Sequence, residues 1–267
     1  VNRHHAPMQI ATWNVNSIKA RTDAALAWLK EAGPDVVCLQ EIKCEDSAFP
    51  SALFEDLGYN VVTHGQKTYN GVALLSKLRL EDVRMGLPGD SDDTQARYIE
   101  AVVHGAEGAF RIGNIYLPNG NPPDSEKYLY KLRWMDRLKA HAHRLLTHEE
   151  PLVLAGDYNV IPAPRDAKVP ENWTSDALFL PQTRARFREI LNLGLTDALR
   201  QSLGDVPGIY TFWDYQAGAW QKNNGIRIDH LLLSPQAADR LTTVRVDKHV
   251  RGWERPPDHV PVIAVFK

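Results

Sequence analysis

The stretch Pro151-Leu152-Val153-Leu154-Ala155-Gly156-Asp157-Tyr158-Asn159 runs four apolar residues into a glycine, a carboxylate and an amide. Four apolar residues in a row leave no polar face for water, so residues 152–155 read as a strand covered on both sides. Asp157 and Asn159 then fall at its carboxyl end, where open α/β sheets place their ligands. Asp and Asn are also favoured in turns for local reasons. The stretch alone therefore leaves two readings open, a site residue and a turn former.

The same arrangement recurs along the chain. Gln9-Ile10-Ala11-Thr12-Trp13 runs into Asn14-Val15-Asn16, and Pro34-Asp35-Val36-Val37-Cys38-Leu39 runs into Gln40-Glu41-Ile42-Lys43. Arg227-Ile228-Asp229-His230 precedes Leu231-Leu232-Leu233, and Pro257-Asp258-His259 precedes the apolar run 260–265. Singly, the bland reading is favoured, with Glu41 a surface carboxylate and His259 a satisfied core histidine. Together they gather Asn, Glu, Asp and His at strand ends, the composition of a metal-assisted phosphoryl-transfer site.

A chain of 267 residues with 43% hydrophobic content can bury one large α/β core or two small ones. No stretch has the composition of a linker. The proline-rich segments 118–123, 162–170 and 256–257 sit between ordered-looking strands and read as loops near a site. One domain over 1–267 is expected, with Val1 to Pro7 as a frayed start. No apolar run approaches a membrane span and no charged-then-apolar leader opens the chain, so a soluble cytoplasmic protein is expected. Cys38 and Cys44 are the only cysteines, too few for a disulfide framework or a zinc site. A net charge of −2 argues against a protein that coats nucleic acid indiscriminately. It leaves room for an enzyme whose acidic metal centre carries a local basic rim.

Strands and helices alternate without a strict βαβ rhythm. Ser17 reads as the cap of a helix over 18–32 stopped by Gly33-Pro34, and a short helix after Pro50 ends at Gly58. Residues 59–63, 72–76, 98–104 and 110–116 read as successive, mainly antiparallel strands. A long amphipathic helix over 125–148 carries Leu129, Leu132, Met135, Leu138 and Leu145 at helical spacing. The second half repeats the plan with a strand at Leu152, a helix over 183–192 ended by Gly194, and strands near Tyr210, Ile228, Thr243 and Pro261. The order fits a four-layer α/β sandwich, two mixed β-sheets flanked by helices.

With these motifs in place, the chain resembles the exonuclease III family of apurinic/apyrimidinic endonucleases. The resemblance rests on Trp13-Asn14-Val15-Asn16, Leu39-Gln40-Glu41-Ile42-Lys43, Asn114-Ile115-Tyr116-Leu117-Pro118-Asn119-Gly120, Gly156-Asp157-Tyr158-Asn159, Gly225-Ile226-Arg227-Ile228-Asp229 and Pro257-Asp258-His259. These blocks span nearly the whole chain in the family's order. Pancreatic-type deoxyribonuclease, neutral sphingomyelinases and inositol-polyphosphate phosphatases share the wider superfamily. Gln40-Glu41-Ile42-Lys43 and Tyr210-Thr211-Phe212-Trp213-Asp214-Tyr215 are closer to the DNA-repair branch. The resemblance implies the four-layer sandwich, a Mg²⁺ or Mn²⁺ requirement and incision 5′ to an abasic site in double-stranded DNA. It also implies 3′-phosphatase, 3′-phosphodiesterase and 3′→5′ exonuclease activities on blocked 3′ ends, and a monomer is expected.

Water attack on a phosphodiester needs the phosphate charge neutralised, the water aimed in line and the leaving oxygen stabilised. Glu41 offers a hard oxygen ligand and Asn14 or Asn16 an amide oxygen, a sparse set that suits Mg²⁺. Asp157 is expected to align and deprotonate the water, with Asn159 fixing its orientation. Asp157, Asn159 and His259 also stand among the metal-binding candidates. His259, held by Asp229, would stay cationic and bond a non-bridging phosphate oxygen. Tyr116 and Asn119 would donate to the phosphate, and Asp258 would bind a second metal or assist the leaving oxygen. By resemblance, the abasic pocket is formed by Phe212, Ile226 and Ile228, with ordinary core packing the alternative for Phe212. Trp220, in the loop 216–224, is a candidate to cover DNA. Lys19, Arg21, Lys43, Tyr69, Asn70 and Arg97 are candidates for DNA grip, whereas Arg184, Arg186 and Arg188 read as an exposed helix face. A lipid or inositol-phosphate phosphodiesterase would carry an apolar membrane-seeking loop, and none is visible. A non-catalytic nucleic-acid binder would lack a chemical group, yet Glu41, Asp157, Asn159, Asp229 and His259 are all present.

Overall fold

A computed structural model describes residues 6–267. The frayed start expected for Val1 to Pro7 thus falls mostly outside the described residues. The first sheet is built from β1 (Met8–Asn14), β2 (Val36–Gln40), β3 (Asn60–His64), β4 (Val72–Ser76) and two late strands, β11 (Leu241–Val246) and β12 (Val262–Phe266). The second is built from β5 (Glu81–Met85), β6 (Tyr98–Gly105), β7 (Gly108–Tyr116), β8 (Leu152–Asp157), β9 (Thr196–Asp197) and β10 (Asp229–Leu233). Their orders are β11-β12-β1-β2-β4-β3 and β5-β6-β7-β8-β10-β9. Each sheet has one parallel pair, β1 with β2 and β7 with β8. Parallel neighbours cannot be joined by a hairpin. Their returns pass through α1 (Thr22–Ala32) and α3 (Glu126–Leu146).

Strand residues alternate between two buried faces, which produces the continuous apolar runs of the sequence. Ile10 packs between the sheets with Ile112, Val153 and Leu231. Its neighbours Ala11 and Trp13 pack outward on Trp28 and Leu29 of α1. Likewise Val153 and Ala155 face inward, while Leu152 and Leu154 meet Trp134, Met135 and Leu138 of α3. Helices α2 (Ser51–Glu55) and α4 (Pro181–Leu191) extend the two outer layers, giving the expected sandwich. At Gly156 a Cβ would sit 2.0 Å from the Ile115 carbonyl oxygen, so only glycine allows β7 and β8 to approach there.

One polar patch interrupts the core between the sheets. Asn114 of β7 donates from Nδ2 to the carbonyls of Leu39 (3.0 Å) and Ala73 (2.8 Å), neighbours in the first sheet. Its Oδ1 accepts from Gln40 Nε2 at 2.9 Å, which also bonds Thr12 Oγ1 at 3.0 Å. Apolar packing is non-directional, whereas these bonds fix how the sheets face each other.

Several expected elements differ. α1 begins at Thr22, because the N–H groups of Ser17 and Ile18 bond the carbonyls of Glu41 and Ile42 and prolong the strand path. Ser17 itself has φ 80° and caps no helix. Leu129 is 49% exposed; α3 buries Tyr128, Leu132, Met135, Leu138 and Leu145. Near Tyr210 there is no strand, only isolated bridges from Phe212 to Ile226 and His259. The sequence reading did not anticipate β5, β9, α5 (Ala198–Leu203) or α6 (Pro235–Ala238), which are too short or too polar to show a period. Arg188 is exposed as expected, whereas Arg184 lies 4.3 Å over the Phe179 ring and Arg186 bonds Asp136.

Candidate active site

Strand ends from both sheets meet along one edge. Asp157 ends β8 and is the register partner of Tyr116, which ends β7, and of Asp229, which begins β10. The first sheet contributes Asn14 at the end of β1, Glu41 just after β2 and His259 just before β12. Residues far apart in sequence thus converge because parallel strands end, and antiparallel ones begin, on the same side.

Asn14 joins the sheets: its Nδ2 donates to Glu41 Oε2 at 2.6 Å and to Asp157 Oδ2 at 2.9 Å. Its Oδ1 accepts the Asn16 N–H at 3.0 Å. Asn14 therefore presents nitrogen to the two carboxylates, and the amide oxygen expected to bind a metal is already engaged. Asn16 is turned away, with Oδ1 accepting from Lys43 Nζ at 2.7 Å. Asn159 holds Asp157 through its backbone N–H, which bonds Oδ1 at 2.9 Å, and not through its side chain as expected. The Asn159 Nδ2 donates to the Leu117 carbonyl at 2.8 Å, so the remaining polar atom of that amide is an oxygen.

His259 is buried, with Nδ1 2.8 Å from Asp229 Oδ2 and Nε2 3.6 Å from Asp157 Oδ2. Burial by itself would lower its pKa, but Asp229 and then Asp157 outweigh burial and push it up to about 10. Asp157 moves up to about 7, mainly by burial and by Asp229 and Glu41, against the pull of His259. Trp13 Nε1 donates to the His259 carbonyl at 3.1 Å, and the Phe212 ring stands edge-on to the imidazole at 5.1 Å. Burial also raises Asp258. Oxygens Oδ1 of Asp229 and of Asp258 are buried without a protein partner.

Glu41, Asp157 and His259 each offer one ligand atom within 4.8 Å of the others, and Asp258 stands outside this group among the described residues. Two carboxylates separated by a neutral amide, one of them raised toward neutrality, form an anionic centre that a hard divalent cation suits. The donor set therefore fits Mg²⁺ or Mn²⁺. A protonated imidazole has no lone pair to give a metal, which favours a donor role for His259 over a ligand role.

These groups line a cleft of about 360 Å³ together with Tyr116, Asn119, Asn159, Ile228, Phe212 and Asp258. Tyr116 stays a neutral phenol, its pKa driven well up by burial and then by Glu41 and Asp157. Asn119 is exposed and its Oδ1 accepts from Asn121, which leaves its amide N–H groups toward solvent. Phe212 is half-buried against Ile226 and Ile228, both buried. Ile226 lines an adjoining cleft and not this one, so the three expected pocket residues divide between two spaces.

Lys131 of α3, which sequence reading missed, is fully buried. Its Nζ donates to the carbonyls of Asn159 (2.6 Å), Asn119 (3.0 Å) and Ala177 (3.4 Å). Burial lowers its pKa to about 7, against the attraction of Asp157 and Asp176. One ammonium thus ties three loops that border the cleft. Lys131→Met keeps the apolar stem and removes the donors, leaving buried carbonyls unsatisfied. Turnover is expected to fall about tenfold. Hydrogen exchange over 117–121, 158–160 and 174–178 should rise in parallel, and full turnover with unchanged exchange would exclude the tie.

Behind the pocket, Arg227 bonds Asp166 Oδ1 (2.7 Å) and Asp197 Oδ2 (2.9 Å), and its Nη1 lies 3.1 Å from His230 Nδ1. A guanidinium only donates, so His230 Nδ1 accepts and Nε2–H donates to the Val160 carbonyl at 2.9 Å. Burial and then Arg227 lower the His230 pKa to about 4. The unfolded chain binds this proton first as pH falls through 6.5, so stability drops until about pH 4. Relative to His230→Gln, the native protein should lose about 3 kcal/mol between those limits, measured by urea unfolding.

The candidates for DNA grip separate by environment. Tyr69, Asn70 and Arg97 line a third cleft of about 470 Å³ with Lys127 and Tyr130, joined to the catalytic cleft through Asn119 and Asn121. Arg97 lies over the rings of Tyr116 (4.9 Å) and Tyr130 (5.8 Å). Arg21 instead bonds Tyr215 Oη and the Asn16 carbonyl, and Lys43 pairs with Glu41 at 3.5 Å. Lys19 is exposed and lines none of these clefts. Trp220 packs edge-on against Trp213 at 5.1 Å beneath Lys248 and Arg251, a structural stack where a DNA cover was expected.

The fold and the geometry define a two-sheet α/β sandwich with a carboxylate–imidazole centre where the sheets meet. Residues 11–256 match the Endonuclease/Exonuclease/phosphatase family, and the chain belongs to it. It is similar to exodeoxyribonuclease III of Haemophilus influenzae, 34% identical over 97% of this chain and all of that protein. A solved AP endonuclease from Archaeoglobus fulgidus superposes with a TM-score of 0.92 at 39% identity, covering 97% of this chain and 99% of the other. A variant of the 3′ phosphatase NExo from Neisseria, bound to a product DNA hairpin, gives 0.93 at 42% identity over 97% and 99%.

Proposed function

We propose that the chain is a divalent-metal-dependent DNA phosphodiesterase of base-excision repair. It would incise 5′ to abasic sites in double-stranded DNA and also clear blocked 3′ ends through 3′-phosphatase, phosphodiesterase and 3′→5′ exonuclease activity. It would act as a monomer in the cytoplasm, and among the described residues no helix is long and apolar enough to cross a membrane. The observation that carries this reading is Asp157, buried and ordered by Asn14 and Asn159, standing 3.6 Å from a cationic His259. The names of the relatives, a nuclease, an AP endonuclease and a 3′ phosphatase, support it.

Mg²⁺ or Mn²⁺, held by Glu41 and Asp157 with the amide oxygen of Asn159 at hand, would supply charge neutralisation for the phosphate. Asp157, held in place by Asn14 and the Asn159 N–H, takes the proton of the attacking water. His259 donates from Nε2 to a non-bridging oxygen, and Asp229 holds the ring and stabilises its charge. Tyr116 and Asn119 donate to the same phosphate, and Asp258 stands by the leaving oxygen. The half-buried Phe212 with Ile228 receives the base-free sugar on the cleft wall, and Ile226 supports it from behind. Tyr69 and Arg97 hold the strand beyond Asn119.

The test is a duplex bearing a single abasic site, incubated with and without Mg²⁺ and resolved by length. Cleavage immediately 5′ to the site, only with metal, is expected. An intact duplex under both conditions would overturn the reading.

A further inference from the structure

A second cleft, of about 260 Å³, adjoins the catalytic one and shares Trp173, Asp176, Phe212 and Asp214 with it. Its apolar floor is Ile226 and Ala219, both buried, between the half-buried rings of Trp173 and Phe212. Its rim carries amides, from Asn172, Gln216 and Asn224, and the two carboxylates. Among the described residues no Lys or Arg lines it, in contrast to the cleft that holds Arg97 and Lys127.

Each feature of this cleft bears on its occupant. Two carboxylates without a cation repel phosphate, so the backbone of a nucleic acid does not enter. Aromatic walls over an apolar floor suit a flat ring that stacks. Amide and carboxylate acceptors around the rim suit a ring that carries amino or imino donors. Asp176 is fixed for this purpose: its Oδ1 accepts from Asn121 Nδ2 (3.0 Å) and the Leu178 N–H (2.9 Å). Asp214 Oδ1 accepts the Gln216 N–H at 2.8 Å. The second oxygen of each has no hydrogen-bond partner among the described residues.

We propose that this cleft is a nucleobase subsite, in which the unpaired base of the nucleotide under attack stacks on Trp173 and offers its amino group to Asp176 and Asp214. The proposal rests on the DNA phosphodiesterase reading and deepens it. The bare sugar of an abasic site uses the wall at Phe212 and Ile228, whereas a base-bearing 3′ nucleotide also fills the second cleft. An unpaired terminal base is the favoured occupant because leaving the stack costs it least.

The experiment compares two duplexes that differ only at the 3′ end, one ending in a mismatched 2-aminopurine nucleotide and the other in a 3′-phosphate. With Mg²⁺, the ratio of nucleotide removal to phosphate release is measured in the native protein and in Trp173→Leu. In EDTA, where no turnover occurs, 2-aminopurine fluorescence reports stacking on the protein. Native protein is expected to quench the fluorescence. Trp173→Leu is expected to lose the quenching and to lower the ratio of rates by roughly tenfold, the size of one base–aromatic stack. A ratio unchanged by the substitution, or quenching that persists in Trp173→Leu, would overturn the subsite while leaving the phosphodiesterase reading intact. Native protein that processes neither duplex would overturn that reading and the subsite with it.

Discussion

Asp157→Asn is expected to lower turnover on abasic DNA by about two orders of magnitude or more while DNA affinity stays within a few-fold. An amide cannot take a proton from water, and loss of a positioned general base costs about 10²–10⁴ in rate. Binding is expected to survive because the groups proposed to meet phosphate, on His259, Asn119 and Tyr116, and the proposed strand contact at Arg97 are left unchanged. Stability should move the opposite way. The folded pKa of Asp157 lies near 7, above its unfolded value, so its ionised form destabilises the fold increasingly as pH rises through that range. At pH 8 in the absence of metal, Asp157→Asn should therefore melt higher than the native protein. Equal losses of affinity and turnover would move Asp157 from the proton transfer to a binding role.

Glu41→Gln is expected to strip the site of metal while keeping its shape. Glu41 has φ 51° and sits where its Oε2 meets Asn14 Nδ2, and glutamine preserves both length and the accepting oxygen. The missing charge is what holds a hard cation. Metal-induced stabilisation gives a readout that does not depend on activity. At a Mn²⁺ concentration 100-fold above the native Kd, the native protein gains about 2.7 kcal/mol, and a tenfold loss of affinity reduces this to about 1.4 kcal/mol. Activity in excess chelator should vanish for the native protein as well. Full activity there would refute the metal assignment, and an unshifted melting response in Glu41→Gln would take Glu41 out of the ligand set.

Strands buried on both faces were legible as apolar runs, and the half-exposed edge strands β3 and β11 were read as well. Residues 152–155 and 72–75 are such runs, four apolar residues in a row that leave no polar face, as a strand covered on both sides requires. β5, Glu81–Met85, was invisible because it is an exposed edge strand whose residues carry charge. The residues proposed to carry the chemistry, Glu41, Asp157, Asp229 and His259, could be found because they lie at or beside the ends of such apolar strands. Roles set by three-dimensional neighbours could not. Asn14 looked like an oxygen ligand until its nitrogen was seen to face two carboxylates. Nothing in the sequence singles out Lys131, because its burial depends on carbonyls from three separate loops. Trp173 lies in a proline-flanked loop with no period to mark it, and Trp220 was placed at the DNA because nothing local reveals that Trp213 covers it.

The strand order has a consequence for how such an enzyme comes into being. β12 lies in the interior of the first sheet, between β11 and β1, although it is the final strand in chain order. A ribosome releasing this chain exposes β1 first and leaves its flank open until some 250 residues later, when β12 closes it. His259 arrives with that same segment, well after Glu41 and Asp157 and shortly after Asp229. A nascent chain therefore carries the carboxylates of the site but neither His259 nor a closed first sheet. The candidate site is therefore complete only once β12 is in place, a limit set by the order of the strands.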